Sequence, residues 1–400
     1  MAKAAILGFG TVGSGVYEIL KNKNLEASAG EKIEVKYILD IRDFDDEEIK
    51  KYLTKDFELI ANDKEIKVVA EVMGGLHPAY EFTKRLLESG VSVVTSNKEL
   101  VATYGAELLE IAENNNASYM FEASVGGGIP VIRPMTICTK ANDIKRIAGI
   151  LNGTTNYILN EMFAKGKDFE DALKDAQKKG YAERNPAADV EGHDACRKLA
   201  ILSSMAWGKF VDYNEIPTEG ITKITLDDVK YAEKLNSVIK LIGYSEKVDD
   251  KIYARVSPML VPNDVIISGV NDVFNAVMIK GDSLGDAMFY GRGAGKLPTA
   301  SAVVADVIDC VRHFDCKKHN IKWDDENEGI MMNPDDKEMS FFVRTKDSKE
   351  NIEKQFLNVQ YTQLIDGENA FTVNSISQAE IDSKLGNLTD VISFIRILEA

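Results

Sequence analysis

Residues 4–13 read AAILGFGTVG, a short apolar run followed by three glycines in the spacing G-x-G-x-x-G. Gly8, Gly10 and Gly13 allow a tight turn, a close approach of the backbone to a ligand and close packing of the next helix. The amides at the start of that helix attract anions such as a pyrophosphate. The stretch therefore predicts a dinucleotide-binding turn, with a plain tight turn as the alternative. The predicted contact residues are Gly8, Phe9, Gly10, Thr11, Val12 and Gly13.

The apolar runs that follow extend this turn into a domain. Strands are predicted at 33–39, 68–73, 91–95 and 118–122, and helical patterns separate them. Such alternation is typical of a doubly wound parallel sheet. We expect a Rossmann domain over residues 1–133, completed by about 292–320, where the glycine-rich GRGAGKLP opens a helix.

The remaining sequence predicts two further parts, so that the chain as a whole is an α/β protein. Residues 134–291 predict an α+β domain, and the acidic, turn-rich residues 324–337 predict a linker. Residues 338–400 follow the order β-α-β-β-α-β of a small ferredoxin-like domain. In the middle part, strands are predicted at 144–151, 251–259, 265–268, 274–280 and 287–290, and helices at 157–164, 169–178 and 192–206.

Composition excludes several classes of partner. The 400 residues carry a formal net charge of −16, so neither nucleic acid nor an anionic membrane surface is an expected partner. No run of eighteen apolar residues and no secretory signal is apparent, which predicts a cytoplasmic protein. The four cysteines lack CxxC spacing, so we expect reduced thiols rather than a zinc site.

The end of the second predicted strand, LDIRD, carries two conflicting signals for the cofactor. Asp40 suits an unmodified ribose 2′-hydroxyl, whereas Arg42 suits a 2′-phosphate. We favour NADP through Arg42 and leave NAD open.

Two lysines are candidates for the chemistry. Lys98, in TSNKEL, follows a predicted parallel strand at the sheet edge where such sheets bind ligands, although a surface charge is the alternative. Lys198 lies one helical turn after Asp194, a spacing that is common in surface salt bridges. The apolar LAILSSMAW that follows favours a buried helix, where a lysine can exchange a proton with a substrate oxygen.

In chain order these motifs resemble those of homoserine dehydrogenases over nearly the first 320 residues. The matching stretches are GFGTVG, TSNKELVA, FEASVGGGIP, LNGTTNYIL, AERNPAADVEGHDACRKL and FYGRGAGKLPTASAVV. The resemblance implies a nucleotide domain joined to a substrate and dimerisation domain. It also implies the NAD(P)H-dependent interconversion of L-aspartate 4-semialdehyde and L-homoserine, in a homodimer or homotetramer.

The same resemblance implies roles for individual residues. Lys198 would donate a proton to the aldehyde oxygen, and Lys98 would assist beside the nicotinamide. The implied substrate-binding residues are Glu183, Asp194, Asp189, Tyr181, Gly153 and Thr154. The implied cofactor-binding residues beyond the first turn are Gly74, Ser96, Gly180 and Gly293.

Two further features follow from the resemblance. The EASVGGGIP loop implies a monovalent cation, usually sodium, held by Glu122, Val125, Gly127 and Ile129, with a simple tight turn as the alternative. The C-terminal part resembles an ACT domain, but its loop KDSKENIEK lacks the glycine of a ligand-binding ACT loop. A structural or oligomer-forming role is therefore as well supported as amino-acid feedback.

Two other functions stay open on the sequence alone. The enzyme could reduce a different amino-acid semialdehyde, because a fold does not fix a substrate. Alternatively, the chain could be a non-catalytic sensor of NAD(P). The set Lys98, Glu183, Asp194 and Lys198 disfavours the sensor, which needs no proton donor.

Overall fold

The computed structural model describes residues 1–318, 320–324 and 329–399. The chain forms two compact units. The first comprises Met1–Asp143, Ala200–Tyr213 and Phe289–Asn327, and the second comprises Ile144–Leu199, Asn214–Met288 and Glu328–Ala400.

The first unit contains a six-stranded sheet in the order β3-β2-β1-β4-β5-β6, with every pair parallel. This is the strand order of a Rossmann fold, and it confirms the predicted doubly wound sheet. The strands are β1 (Ala2–Leu7), β2 (Ile33–Leu39), β3 (Leu53–Thr54), β4 (Ile66–Glu71), β5 (Ser92–Thr95) and β6 (Tyr119–Met120). The helices are α1 (Thr11–Asn22), α2 (Glu26–Ala29), α3 (Glu47–Lys50), α4 (Glu58–Ala61), α5 (Ala79–Glu88), α6 (Lys98–Asn114) and α7 (Ile132–Ile137).

The second sheet begins in the middle of the chain. Its first strands are β7 (Ile144–Ile150), β8 (Ser237–Val248), β9 (Lys251–Pro262), β10 (Phe274–Gly281) and β11 (Gly285–Arg292). The accompanying helices are α8 (Gly153–Lys165), α9 (Phe169–Lys178), α10 (Ala187–Val190), α11 (His193–Trp207) and α12 (Leu226–Lys234).

Helix α13 (Lys296–Arg312) belongs to the first unit and packs on α1. The packing is close, since a Cβ at Gly15 would lie 2.9 Å from the Cβ of Ala300. Pro298 stands in the first turn of α13, where a missing N–H costs no helical hydrogen bond.

The C-terminal residues form the predicted β-α-β-β-α-β order, as β12 (Glu338–Thr345), α14 (Lys349–Gln355), β13 (Gln360–Tyr361), β14 (Asn369–Ser377), α15 (Gln378–Leu385) and β15 (Val391–Ile397). They do not form a sheet of their own. Strand β15 pairs in parallel with β9, which joins all nine strands in the order β11-β10-β7-β8-β9-β15-β12-β14-β13. Part of the predicted linker, residues 325–328, lies outside the described residues.

Two predicted strands differ from the structure, and one observed strand was not predicted. The strand predicted at 265–268 is a 3₁₀ turn, Ile266–Gly269. Strand β8 was not predicted, because Lys240 and Gly243 interrupt its apolar run. Gly243 is required there, since a Cβ would lie 2.8 Å from the side chain of Leu151. Residues 118–122 form only a two-residue strand, because a 3₁₀ turn starts at Glu122. Within the described residues, no helix is both long and apolar enough to cross a membrane.

Candidate active site

The turn between β1 and α1 has the geometry of a dinucleotide-binding turn. Gly8 has a φ of +94°, which side chains on L-residues rarely allow. A Cβ at Gly13 would overlap the carbonyl oxygen of Gly8, so only glycine fits at that position. The turn lies between β1 and β4, where the strand order of the sheet reverses and open α/β sheets bind their ligands.

Asp40 and Arg42 interact directly at the end of β2. The Arg42 guanidinium donates through Nε and Nη2 to the two oxygens of the Asp40 carboxylate, at 2.9 and 2.8 Å. The same carboxylate accepts from the backbone N–H of Phe9, within the glycine turn, at 2.7 Å. The guanidinium of Arg42, helped by these N–H groups, holds the pKa of Asp40 well below its usual range. The Arg42 side chain is 56% exposed while that of Asp40 is 6% exposed, so Arg42 is the group that faces solvent.

A buried carboxylate, which the sequence analysis missed, fixes the backbone at the carboxyl end of β4. Glu71, at the end of β4, accepts from the backbone N–H of Met73 at 2.8 Å and from the Thr95 hydroxyl at 2.6 Å. Burial raises the pKa of Glu71, and these hydrogen bonds oppose the rise. The signal was present in the sequence as a single charge in the apolar run VVAEVM.

The loop held by Glu71 leaves open space where a ligand can approach. Gly74 and Gly75 have φ values of +84° and +73°, and a Cβ at either would meet no atom within 4 Å. Asn97 fixes this loop by donating to the Gly75 carbonyl at 2.6 Å, and it also caps α6. Ser96 and the half-buried Lys98, both predicted site residues, stand on either side of Asn97 at this edge.

The GGG loop differs in one respect from its predicted role. The Glu122 carboxylate accepts three backbone N–H groups, from Val131, Ile132 and Arg133, at 2.6 to 2.9 Å. The side chain therefore caps the start of α7 through both of its oxygens. Among the described residues, no group of three His, Cys, Asp or Glu side chains is placed to hold a metal.

The other predicted cation ligands, Val125, Gly127 and Ile129, are buried in the same loop. The positions that alternate with the last two, Gly128 and Pro130, are exposed. Gly127 packs on predicted cofactor residue Gly293, since a Cβ at Gly127 would lie 2.5 Å from the Gly293 carbonyl oxygen. The loop is therefore fixed against the segment that precedes α13.

In the second unit, Lys198 and Asp194 form a buried pair. The Lys198 ammonium donates to Asp194 Oδ2 at 2.7 Å and to the Leu151 carbonyl at 2.8 Å. The two residues are 8% and 7% exposed, so the alternative of a surface salt bridge is wrong. A buried lysine held by one carboxylate and one carbonyl is suited to donating a proton to a third, external oxygen.

Asn152, which the sequence analysis did not single out, connects this pair to Asp189. Its side-chain amide donates to Asp189 Oδ1 at 2.7 Å and to Asp194 Oδ2 at 2.9 Å. Its side-chain oxygen accepts from the backbone N–H of Thr155, which caps α8. Burial raises the pKa of Asp189, and the hydrogen bond from Asn152 opposes that rise.

The remaining predicted substrate residues lie around this cluster to different extents. The Thr154 hydroxyl donates to the Tyr181 carbonyl at 2.6 Å, and Gly153 opens α8 where a Cβ would lie 2.7 Å from the Val273 carbonyl oxygen. Gly180, with a φ of +75°, ends the turn after α9. Glu183 is exposed on the loop between α9 and α10, and its backbone carbonyl accepts from the Gln177 side chain at 3.1 Å.

Comparison with known proteins gives matches both to the part of the chain that holds the glycine turn and to the part that holds Lys198. A family model for the homoserine dehydrogenase NAD-binding domain matches residues 8–122, and a model for homoserine dehydrogenase matches residues 130–308. The homoserine dehydrogenase of Neisseria gonorrhoeae is 43% identical over 312 residues, which are 77% of this chain and 72% of that protein.

Solved structures show the same likeness over longer stretches. A homoserine dehydrogenase from Thiobacillus denitrificans superposes with a TM-score of 0.92 at 33% identity, covering 100% of this chain and 98% of that one. A hyperthermophilic archaeal homoserine dehydrogenase in complex with NADPH has a TM-score of 0.66 at 30% identity, covering 80% and 99%.

The dinucleotide turn and these matches define the chain as an NAD(P)-dependent oxidoreductase. Within that class it belongs to the homoserine dehydrogenase family, because the family models match most of the chain and the Neisseria gonorrhoeae enzyme shares 43% identity over about three quarters of it.

Proposed function

We propose that the enzyme reduces L-aspartate 4-semialdehyde to L-homoserine, reversibly, with Lys198 as the proton donor. The observation that carries this proposal is the buried pair of Lys198 and Asp194, 2.7 Å apart and bridged by Asn152 to a second carboxylate. The family is named for the alcohol product, and an aldehyde is the substrate whose reduction by hydride yields that alcohol.

Lys198 has the donors that this step needs. An ammonium carries three N–H groups, and contacts with Asp194 and the Leu151 carbonyl account for two of them. The third is available to the substrate carbonyl oxygen. When bound, the reduced nicotinamide supplies the hydride to the carbonyl carbon. Lys198 then transfers a proton to the oxygen, which prevents an alkoxide from accumulating.

The carboxylates recognise the rest of the substrate. An amino-acid semialdehyde carries an ammonium group, and Asp189 is joined through Asn152 to Asp194, the carboxylate that accepts from Lys198. A cation beside Asp189 would offset the burial that disfavours its ionised form. Glu183, Thr154, Gly153 and Tyr181 complete the proposed substrate contacts. Lys98, Ser96 and Gly74 are proposed to lie beside the nicotinamide, and Gly180 and Gly293 are proposed cofactor contacts.

The residues around the glycine turn support NADP as the preferred cofactor. The Asp40 carboxylate is already occupied by Arg42 and by the Phe9 N–H, whereas the guanidinium of Arg42 is more than half exposed. A 2′-phosphate can bind this guanidinium from the solvent side, while a 2′-hydroxyl would have to compete for the buried carboxylate.

The predicted sodium site fits the structure only through its backbone groups. Because three N–H groups occupy the Glu122 carboxylate, we derive no step of the reaction through a cation. Activity in sodium compared with choline buffer tests whether the carbonyls of this loop bind a monovalent ion.

The wider setting follows from the family. We propose a homodimer or homotetramer, acting in the cytoplasm in the biosynthesis of threonine, methionine and isoleucine. Amino-acid feedback through the C-terminal residues is not part of this proposal. Sedimentation with and without threonine tests the subunit number and any response to that amino acid.

The test of the function is the loss of reduced-nicotinamide absorbance with L-aspartate 4-semialdehyde, run in parallel with NADPH and NADH. Rapid oxidation, faster with NADPH, is expected. A matched aldehyde without the amino group should react poorly, and equal rates would favour another aldehyde as the substrate. Cofactor binding without any oxidation would support the sensor instead.

A further inference from the structure

Two buried arginines of the second sheet converge on one glutamate. Arg255, on β9, donates through Nη1 to Glu219 Oε1, and Arg396, on β15, donates through Nη1 to Glu219 Oε2, both at 2.9 Å. The arginines are 5% and 2% exposed, whereas the side chain of Glu219 is 45% exposed. Arg396 also donates to Gln378 at 2.6 Å, within the C-terminal β-α-β-β-α-β region.

The burial of two guanidinium groups carries a large desolvation cost, so the arrangement calls for an explanation other than stability. Taking a charge out of water is unfavourable, and the attraction within a buried ion pair often does no more than offset that cost. The two arginines here share a single carboxylate. They also fix it at both oxygens, which leaves Glu219 one orientation.

The segment that carries Glu219 packs against the turn that precedes α11, the helix of Asp194 and Lys198. The Glu219 N–H donates to the Val256 carbonyl at 2.8 Å, and the Ile221 N–H donates to the Val190 carbonyl at 2.9 Å. A Cβ at Gly220 would lie 2.6 Å from the Cα of Glu191. No side chain can therefore be inserted between this segment and the turn.

That turn connects the two carboxylates of the site. Asp189 precedes Val190, and Asp194 follows Gly192, whose carbonyl accepts the first helical N–H of α11. A Cβ at Gly192 would lie 3.0 Å from the side chain of Thr218, next to Glu219. A shift of the Glu219 segment would thus move the start of α11, and Asp194 with it.

We propose that Arg396 is a positioning residue, through which the C-terminal region holds the turn between Asp189 and Asp194 in its reactive geometry. The inference rests on the proposed function, because it assigns a purpose to the site described there. In this proposal the C-terminal region supports the substrate site whether or not an amino acid is bound to it. We call this support, through Arg396 and Glu219, the brace.

The test compares Arg396→Gln with Arg344→Gln. Arg344 is a matched control, since it is 3% exposed, lies in the same region and pairs with Asp228 and Glu368. Among the described residues, its hydrogen bonds are to Asp228, Glu368 and Thr225, which lie outside the Glu219 segment. Both variants should lower the melting temperature, but only Arg396→Gln should lower kcat, by roughly tenfold, with the KM for NADPH unchanged. Arg396→Lys should restore part of kcat.

Hydrogen exchange makes the test independent of catalysis. Amides of residues 190–196 should exchange faster in Arg396→Gln than in the wild type or in Arg344→Gln, with no substrate or cofactor present. Glu219→Gln, at a half-exposed position that should fold normally, should have the same effect as Arg396→Gln. The double variant should add little to either.

Equal losses of kcat in the two arginine variants, or unchanged exchange at 190–196 in Glu219→Gln, would overturn the brace. A wild-type enzyme inactive on the semialdehyde would count against the proposed function alone, because the exchange measurement still decides the brace.

Discussion

The side-chain amide of Asn152 lies 2.9 Å from Asp194 Oδ2, the same oxygen that accepts the Lys198 ammonium. One carboxylate oxygen therefore holds both Lys198, the proposed proton donor, and Asn152, which connects Asp194 to Asp189. The arrangement fixes Asp194 in a single rotamer. It also holds two acidic groups close together through one amide.

Replacement of this amide should damage catalysis more than folding. Asn152→Ala removes hydrogen bonds to two carboxylates, each worth about 1.5–3 kcal/mol when an ionised group accepts. We expect kcat/KM for the semialdehyde to fall by about 10- to 100-fold, and Asn152→Asp to be worse because it adds a third negative charge.

The matched control is Asn156, one helical turn along α8 and 1% exposed. Its amide donates to three backbone carbonyls rather than to carboxylates. Asn156→Ala should lower the melting temperature with less effect on kcat. If the two variants lose kcat equally, Asn152 has only a structural role.

Removal of the proposed proton donor should be more severe still. Lys198→Ala should reduce kcat by about 10²- to 10⁴-fold, the range typical of general acid catalysis, while the KM for NADPH stays near the wild-type value. Small primary amines added to the assay should restore part of the rate. Lys179→Ala is the control, because Lys179 is exposed and donates to the Tyr157 hydroxyl. Near-normal turnover of Lys198→Ala would exclude the proposed mechanism.

The sequence predicted those features whose physical cause lies within a few residues. The spacing of Asp194 and Lys198 on one helix, and of the glycines after β1, depends on local geometry alone. Asn152 could not be found in this way. Its partners lie 37 and 42 residues along the chain, and only the fold of the second unit brings them together.

The contacts of Glu122 also depend on the fold. The resemblance implied a cation ligand at this position, and the structure shows a carboxylate that accepts three backbone N–H groups. The N–H groups that it accepts belong to residues 9 to 11 positions later, at the start of α7. Their direction depends on the path of the whole loop, which no local pattern encodes.

Cofactor preference should depend on Arg42. Arg42→Gln removes a charge-assisted contact to a 2′-phosphate, worth about 1.5–3 kcal/mol, so kcat/KM with NADPH should fall about 10- to 100-fold. The value with NADH should change much less or rise. Arg85→Gln is the control, because Arg85 forms a similar two-point pair with Glu58 on the surface of the same unit. Equal losses with both cofactors would show that Arg42 acts by orienting Asp40.

Lys240 should make the stability of the second unit depend on pH. It is 3% exposed, and its ammonium donates to the Val270 carbonyl at 2.6 Å and to the side-chain oxygens of Asn156 and Asn271. Burial lowers the pKa of Lys240 from 10.5 to about 8. Between these two values the folded chain holds the lysine largely neutral, while the unfolded chain keeps its proton.

Because the unfolded state binds more protons in that window, the free energy of unfolding should rise with pH from about 8 to 10.5. The slope that Lys240 contributes approaches about 1.4 kcal/mol per pH unit. Lys240→Met should abolish this contribution. The free energy of unfolding of the wild type, measured with urea, should therefore increase relative to that of the variant between pH 7.5 and 9.5. Lys247→Met, at an exposed position of the same strand, should leave the pH dependence as it is. A difference that stays constant with pH would mean that Lys240 remains charged in the folded protein.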